Sequence, residues 1–146
     1  MWYNISMKKT DLAYVAGIID GEGWICIKNS KTSASVKVGL GNTNEWLVAW
    51  LKFSFGGSVC LKKKWIVNQK QQWQWDLSTK QASEFLKLIL PYLKLKCPQA
   101  ELALKFQNRR KYRGGGTSAR RMTDEEHALD DADKTLMHSY NKRGIN

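Results

Sequence analysis

The most informative segment of this chain is Val15-Ala16-Gly17-Ile18-Ile19-Asp20-Gly21-Glu22-Gly23, which leads directly into Trp24-Ile25-Cys26-Ile27. Apolar residues from Leu12 onward recur at the spacing of one helix face. This pattern predicts a helix from about Asp11 to Asp20, with Thr10 as its N-cap. The alternation that follows predicts a strand, so helix, acidic residues and sheet are expected to meet within this segment.

A second face of the predicted helix carries almost no side chain. Ala13, Gly17 and Gly21 are four residues apart and therefore stack along one side. A glycine inside a helix costs about 1 kcal/mol relative to alanine. We expect a compensating contact, and close approach of another helix backbone is the one that small residues allow.

Two acids, Asp20 and Glu22, come at the end of this helix, where its dipole disfavours negative charge. One interpretation is a glycine C-cap with both acids facing water. The other is a divalent metal site, because carboxylate oxygens on a glycine-rich backbone suit magnesium. Position alone leaves both open.

The rest of the chain alternates strand and helix patterns. Residues 24–30 and 35–40 predict a hairpin, and Asn44 can cap a helix from Glu45 to about Phe55. A second hairpin covers about residues 58–77. Two helices follow, the first starting at Ser78 in capping-box spacing with Gln81 and the second carrying Pro98 in its first turn. Beyond the linker at 114–116, Thr123 and Glu126 predict a capping box and a last helix over about 124–142.

Residues 15–23 resemble one copy of the LAGLIDADG signature of homing endonucleases. The matches are Ala16, Gly17, Ile19, Asp20 and Gly23. The element order, without the last helix, is the α-β-β-α-β-β-α order of that family. The resemblance implies an α+β fold, with a four-stranded antiparallel sheet, helices on one face and an appended C-terminal helix. We divide the chain into an endonuclease domain, 1–113, and a basic glycine-rich linker with the C-terminal helix, 114–146.

Charge is distributed unevenly along the chain. The net charge is +11; residues 122–146 hold six acids and three bases, so the preceding residues carry +14. A body this basic points to a polyanionic partner, nucleic acid first and an anionic membrane second. No apolar run is long enough to span a membrane, no export signal is recognisable, and three widely spaced cysteines fit a reduced compartment. We therefore expect an intracellular, non-secreted protein.

This chain carries one signature, and single-motif relatives pair two such helices across a twofold axis. The resemblance therefore implies a homodimer whose interface includes Ala13, Gly17 and Gly21. It brings two acidic clusters side by side at the base of that interface.

The resemblance also implies a catalytic set. Glu22 matches the metal-ligating acid, where most relatives carry Asp, and the Gly21 carbonyl matches the neighbouring backbone ligand. Asn42 matches a polar residue that orders active-site water, although it is equally consistent with an ordinary turn. Lys96 matches a basic residue near the scissile phosphate, and a plain surface lysine is the alternative. The implied cofactor is Mg²⁺ or another divalent cation such as Mn²⁺, with no organic cofactor.

One sheet face is predicted to be solvated and basic. Lysines there can contact phosphates, glutamines can recognise adenine and an aspartate can accept from cytosine. The alternative is an ordinary solvated sheet face. The candidate DNA-binding residues are Lys28, Ser30, Ser35, Lys37, Lys62, Lys64, Gln72, Gln74 and Asp76.

Together these features predict a mobile-intron type of homing endonuclease. Such a hydrolase would cut double-stranded DNA at a long, partly palindromic site and leave short 3′ extensions. The competing interpretation is a non-cleaving protein on the same scaffold, either an RNA-splicing maturase or a DNA-binding regulator. A ribosome-associated basic protein would explain the charge but not the glycine stripe. Basic residues near the triple glycine, including Arg109, are candidates for contacting flanking DNA, and a surface helix without a DNA role is the alternative for the C-terminal extension.

Overall fold

The structure is a computed structural model that describes residues 7–29, 34–111 and 121–142 of the 146-residue chain. Its elements in chain order are α1 (Lys9–Glu22), β1 (Gly23–Asn29), β2 (Ala34–Asn42), α2 (Glu45–Phe55), β3 (Ser58–Leu61), β4 (Trp73–Ser78), α3 (Thr79–Ile89), a short 3₁₀ turn (Leu90–Tyr92), α4 (Cys97–Lys111) and α5 (Asp124–Asn141). The predicted α+β class and element order are confirmed. Ser30 and the boundary between residues 113 and 114 lie outside the described residues.

The four strands form one antiparallel sheet in the order β1-β2-β4-β3. The β1–β2 and β3–β4 pairs join where β2 runs against β4, with Val38 opposite Leu77 and Leu40 opposite Trp75. Because side chains alternate along each strand, this register gives the whole sheet two distinct faces.

One face of the sheet is the core of the molecule. Ile25, Val38, Leu40 and Trp75 are fully buried against the helices. Trp75 stacks edge-on against Phe85, with ring centroids 5.4 Å apart, and its indole N–H donates to the Gly56 carbonyl at 2.8 Å. That bond satisfies the polar atom of the largest core side chain, so the ring is buried without an unpaired donor.

Two of the four predicted side-chain caps are present, and α4 begins at Cys97 with Pro98 in its first turn, as predicted. Asn44 accepts from the Leu47 N–H at 3.2 Å, and Thr123 with Glu126 forms the predicted capping box. By contrast, α1 starts at Lys9, so Thr10 lies inside the helix. Ser78 precedes α3 but makes no side-chain cap, because it is still the last residue of β4.

The C-terminal helix α5 packs on α4 and on β1. Arg109 of α4 bonds Asp133 at 2.7 Å and Asp130 at 3.0 Å, and both carboxylates are almost completely buried. The Asn141 amide also donates to the Ile25 carbonyl of β1 at 2.8 Å. Arg109 is therefore a structural residue that holds α5, which is not the DNA contact considered from the sequence. No helix in the described part of the chain is long and apolar enough to cross a membrane.

Candidate active site and nucleic-acid interface

The small-residue stripe of α1 faces open space. Val15, Ala16 and Ile19 are buried on the core side of the helix, whereas Ala13, Gly17 and Gly21 are exposed. A Cβ built on Gly17 or Gly21 would meet nothing within 4 Å. The stripe therefore has no packing partner among the described residues of its own chain.

Exposed aromatic rings stand beside this stripe. Tyr14 of α1 and Trp46 of α2 are both largely exposed. The ring of Trp50 bridges them, 6.1 Å from Tyr14 and stacked 6.2 Å from Trp46. The helix face that carries the glycines is thus bordered by apolar surface.

Gly23 allows the chain to pass from α1 into β1 without a loop. A Cβ at this position would lie 2.7 Å from the Ile19 Cα and 2.9 Å from its carbonyl oxygen, which is closer than real Cβ atoms approach. Glycine is therefore required by close approach. The tight connection holds Glu22 at the junction between helix and sheet.

Glu22 and Asn42 lie together at this junction. The Asn42 side-chain N–H donates to a Glu22 carboxylate oxygen at 2.7 Å, and the Asn42 oxygen accepts from the Asn44 N–H, also at 2.7 Å. Asn42 is the last residue of β2, and Glu22 precedes the strand beside it. The pairing orients an exposed carboxylate with a neutral amide, which leaves the negative charge of Glu22 in place.

Asp20 has a different role from Glu22. Its carboxylate accepts the backbone N–H of Lys94 at 2.7 Å and that of Lys96 at 2.9 Å. Both oxygens are thus used to fix the segment before α4. Asp20 is half-buried and is held by these two N–H groups, whereas the carboxylate of Glu22 is exposed.

Lys96 lies at the C-terminal end of α1. Its ammonium donates to the carbonyls of Ile19, at 2.8 Å, and of Asp20, at 2.5 Å. These carbonyls are the negative end of the helix dipole, so the lysine offsets charge close to Glu22. The predicted catalytic residues Glu22, Asn42 and Lys96 are brought to one end of α1 from three separate parts of the chain.

The described residues of one chain supply few side chains that could bind a metal ion. In the ranges 7–29, 34–111 and 121–142, no group of three or more His, Cys, Asp or Glu side chains is placed to hold an ion. The exposed Glu22 carboxylate and the neighbouring Gly21 backbone are chemically suited to magnesium, which needs only one or two protein carboxylates. The donor set fits a magnesium ion whose other ligands come from water, from phosphate or from a second chain.

The open face of the sheet follows the predicted alternation. It carries Cys26, Lys28, Ser35, Lys37, Cys60, Gln74 and Asp76. Burial raises the pKa of the Cys26 thiol, while the positive charges of Lys28 and Lys37 oppose that shift. The side-chain amide of Gln74 donates to Asp76 at 3.2 Å. The face is therefore mixed, with two lysines, hydrogen-bonding groups and one acid.

Sequence reasoning missed Trp24 on this face, although its parity matches that of Cys26. A Cβ at Gly39 would lie 2.8 Å from an atom of the Trp24 ring. The ring therefore occupies space on β2 that any side chain at position 39 would fill. The Lys28 ammonium lies 5.5 Å from the centre of that ring. The Trp24 indole therefore adds an aromatic surface to the polar groups of the open sheet face.

The second hairpin is shorter than predicted. β3 ends at Leu61, and Lys62 keeps one further pairing because its N–H donates to the Gln72 carbonyl at 2.8 Å. Lys64 lies in the loop beyond, so its predicted place on a strand is wrong. The side chain of Gln72 lies over Gly41, where a Cβ would be 3.1 Å from its amide nitrogen.

Solved structures similar to this chain share one fold. The structure of homing endonuclease I-CvuI in complex with DNA has a TM-score of 0.72 at 15% identity, covering 94% of this chain and 86% of that one. The archaeal intron-encoded homing endonuclease I-Vdi141I, complexed with DNA, has a TM-score of 0.74 at 12% identity, covering 96% and 89%. LAGLIDADG homing endonuclease I-GzeII, in complex with its DNA target, has a TM-score of 0.65 at 17% identity, covering 94% and 47%.

No protein-family model and no curated protein matches the sequence. The structural similarity nevertheless confirms the predicted fold class. The chain has the LAGLIDADG homing endonuclease fold.

Proposed function

We propose that this chain, which has the LAGLIDADG homing endonuclease fold, works as a homodimeric, metal-dependent endonuclease that cuts double-stranded DNA at a specific site. One observation carries the proposal: Glu22 stands exposed at the base of a bare helix stripe, fixed by Asn42 and close to Lys96. Similar structures were determined with DNA targets, one with magnesium and one with calcium. These agree with the chemistry of the exposed carboxylate.

A second copy of the chain accounts for the exposed stripe. Two α1 helices can approach closely because Ala13, Gly17 and Gly21 present no side chain beyond a methyl group. Self-association of one helix face has twofold symmetry, so each copy would bring its Glu22 to the same end of the interface. Two carboxylates would then serve the two strands of a DNA duplex.

The metal proposed for this site is Mg²⁺ or Mn²⁺, held by the Glu22 carboxylate and the Gly21 carbonyl. When bound, such a cation supplies Lewis-acid stabilisation of charge on a phosphodiester. Asn42 orients Glu22, and Lys96 places positive charge at the same end of the helix. The lysine therefore favours the approach of a phosphate to a site that otherwise carries negative charge.

The open sheet face is the proposed DNA-binding surface. Lys28 and Lys37 supply charge for phosphate contacts, and Gln74 and Asp76 supply groups that can distinguish base edges. Ser30, Ser35, Lys62, Lys64 and Gln72 stay predicted contacts. Two such faces in a dimer would follow a partly palindromic site, and cuts on both strands would leave short 3′ extensions.

Glu22→Gln is the decisive variant for this proposal. The purified protein is incubated with a random double-stranded DNA library and Mg²⁺, and cut ends are sequenced. We expect the original protein to cut one site family with a fixed stagger. Glu22→Gln should lower cleavage by about 10²–10³-fold while DNA binding is retained, because the amide removes the charged ligand but keeps the shape.

Glu125→Gln is the matched control, because Glu125 is an exposed acid in the first turn of α5. It should cut as the original protein does. Cleavage by Glu22→Gln at the original rate would remove Glu22 from the mechanism. Specific binding of DNA or intron RNA without any cutting by the original protein would replace the endonuclease proposal with a regulator or a maturase.

A further inference from the structure

The loop between β3 and β4 exposes three consecutive apolar side chains at its end. Residues 62–72, here called the β3–β4 tip, include Trp65, Ile66 and Val67, which are 85%, 70% and 93% exposed. Single exposed apolar residues are common on protein surfaces. A run of three is a packing error unless it serves a contact.

The β3–β4 tip is held in shape by hydrogen bonds. The Trp65 N–H donates to the Gln69 side chain at 3.1 Å, and the Gln69 N–H donates to the Ile66 carbonyl at 3.1 Å. The Gln71 amide donates to the Lys62 carbonyl at 3.1 Å. The three apolar side chains are therefore presented by an ordered turn, which lowers the entropy cost of binding through them.

The charge of the tip identifies the partner. It contains four lysines (Lys62, Lys63, Lys64 and Lys70) and no acid, so its charge is strongly positive. The Lys63 ammonium lies 6.0 Å from the centre of the Trp65 ring. Apolar side chains surrounded by ammonium groups suit a surface with dense negative charge next to apolar material, such as the phosphates and stacked bases of DNA.

The strand register places the tip beside the candidate active site. Trp73, the first residue of β4, pairs with Leu61 on one side and with Asn42 on the other. Asn42 in turn bonds Glu22. The tip therefore leaves the sheet at the end where the exposed carboxylate lies, and it is continuous with the face that carries Cys60 and Gln74.

We propose that the β3–β4 tip is an apolar wedge that enters a DNA groove close to the cleaved phosphates and partly unstacks a base step through Trp65. Ile66 and Val67 pack against the opened step, and the lysines hold the backbone on either side. This inference rests on the proposed function, because it takes DNA as the partner. It adds that the DNA is deformed by this loop.

Trp65→Ala tests the wedge without knowledge of the target site. Affinity for a mixed-sequence 40-base-pair duplex is measured over a range of salt concentrations. We expect about a five- to tenfold loss of affinity, because a stacked aromatic ring is removed. The salt dependence should stay the same, because no phosphate contact is lost. Lys63→Ala should instead lower the salt slope by about one unit.

Phe53→Ala is the matched control, because it removes an aromatic ring that is 79% exposed on α2, outside the tip. It should bind as the original protein does, and Trp65→Phe should restore most of the lost affinity. DNA deformation is measured by relaxing a plasmid with a topoisomerase in EDTA, which prevents metal-dependent cutting. The original protein should shift the distribution of topoisomers, and Trp65→Ala should not.

The outcomes separate this inference from the proposed function. If the original protein binds duplex DNA and Trp65→Ala matches it in affinity and topoisomer shift, the wedge is wrong while the DNA-binding proposal stands. If the original protein does not bind duplex DNA, both fail. Trp65-dependent binding to vesicles of phosphatidylcholine and phosphatidylglycerol, without an effect on DNA, would also overturn the wedge and assign the tip to a membrane surface.

Discussion

The small-residue stripe of α1 and the inner face of α5 differ in whether their residues find contacts within the chain. The stripe carries the signature-like sequence, yet Gly17 and Gly21 face open space and Glu22 is exposed. Helix α5 lies outside that resemblance, yet its buried acids are paired with Arg109. The buried acids of α5 find their cation within the chain, whereas the stripe and Glu22 are the exposed groups to which we assign a second copy of the chain and a metal ion.

The largest expected effect on stability concerns the ion pairs between α4 and α5. Arg109→Met should lower the free energy of unfolding by about 3–5 kcal/mol, because it removes a cation that bonds the buried carboxylates of Asp130 and Asp133. Urea denaturation measures the change. Lys80→Met is the control, because its 4.0 Å contact with Glu84 is exposed and should contribute less than about 1 kcal/mol. Equal losses of unfolding free energy for the two substitutions would show that the buried ion pairs of Arg109 contribute no more than an exposed one.

A smaller effect separates the two acids at the end of α1. Asp20→Ala should lower the free energy of unfolding by about 1.5–3 kcal/mol, because two backbone N–H groups lose a charged acceptor. Glu22→Ala should change it by less than about 0.5 kcal/mol, because this carboxylate is exposed. Denaturant unfolding of both variants provides the measurement. A Glu22 variant that unfolds as easily as the Asp20 variant would make Glu22 a structural residue.

The smallest effect compares glycines six residues apart. Gly17→Ala should raise the stability of the isolated chain by up to about 1 kcal/mol, because alanine is the better helix former and has space here. Gly23→Ala should lower it by about 1–3 kcal/mol, because its Cβ would collide with Ile19.

A larger substitution at Gly17 tests the proposed dimer. Gly17→Leu should weaken self-association in sedimentation measurements at constant salt while the chain stays folded, because a large side chain separates the two helix backbones. A monomeric original protein, or a Gly17→Leu variant that associates unchanged, would contradict the proposed use of the stripe.

Periodicity and turn chemistry were sufficient to predict much of the fold. The helical and alternating patterns are local, so they yielded the element order, the open sheet face and the caps at Asn44 and Thr123. Predictions from local patterns were wrong at positions where pairing with a neighbouring strand determines the conformation. Ser78 is not a cap because β4 still holds it, and Lys64 leaves the strand because pairing stops soon after Leu61.

The sequence predicted which residues belong to the candidate site, but it did not predict the contacts that they make. The resemblance pointed to Glu22, Asn42 and Lys96, and the structure brings them to one end of α1. Apart from that resemblance, the residue pattern did not distinguish Asp20 from Glu22, because the two N–H groups that bond Asp20 lie 74 and 76 residues further along the chain. Arg109 was taken for a surface charge, since its buried partners lie on a helix beyond the linker.

The amino-acid sequence by itself determined the class of fold, the bare stripe and the polar character of the open sheet face, because these depend on residue type at short spacing. Only the tertiary structure decided that the stripe contacts none of the residues described in its own chain, that Asp20 accepts two backbone N–H groups while Glu22 is exposed, and that Trp65 stands on an ordered basic turn. These outcomes depend on contacts between groups that are far apart in the sequence, and short-range residue spacing carries no information about such contacts.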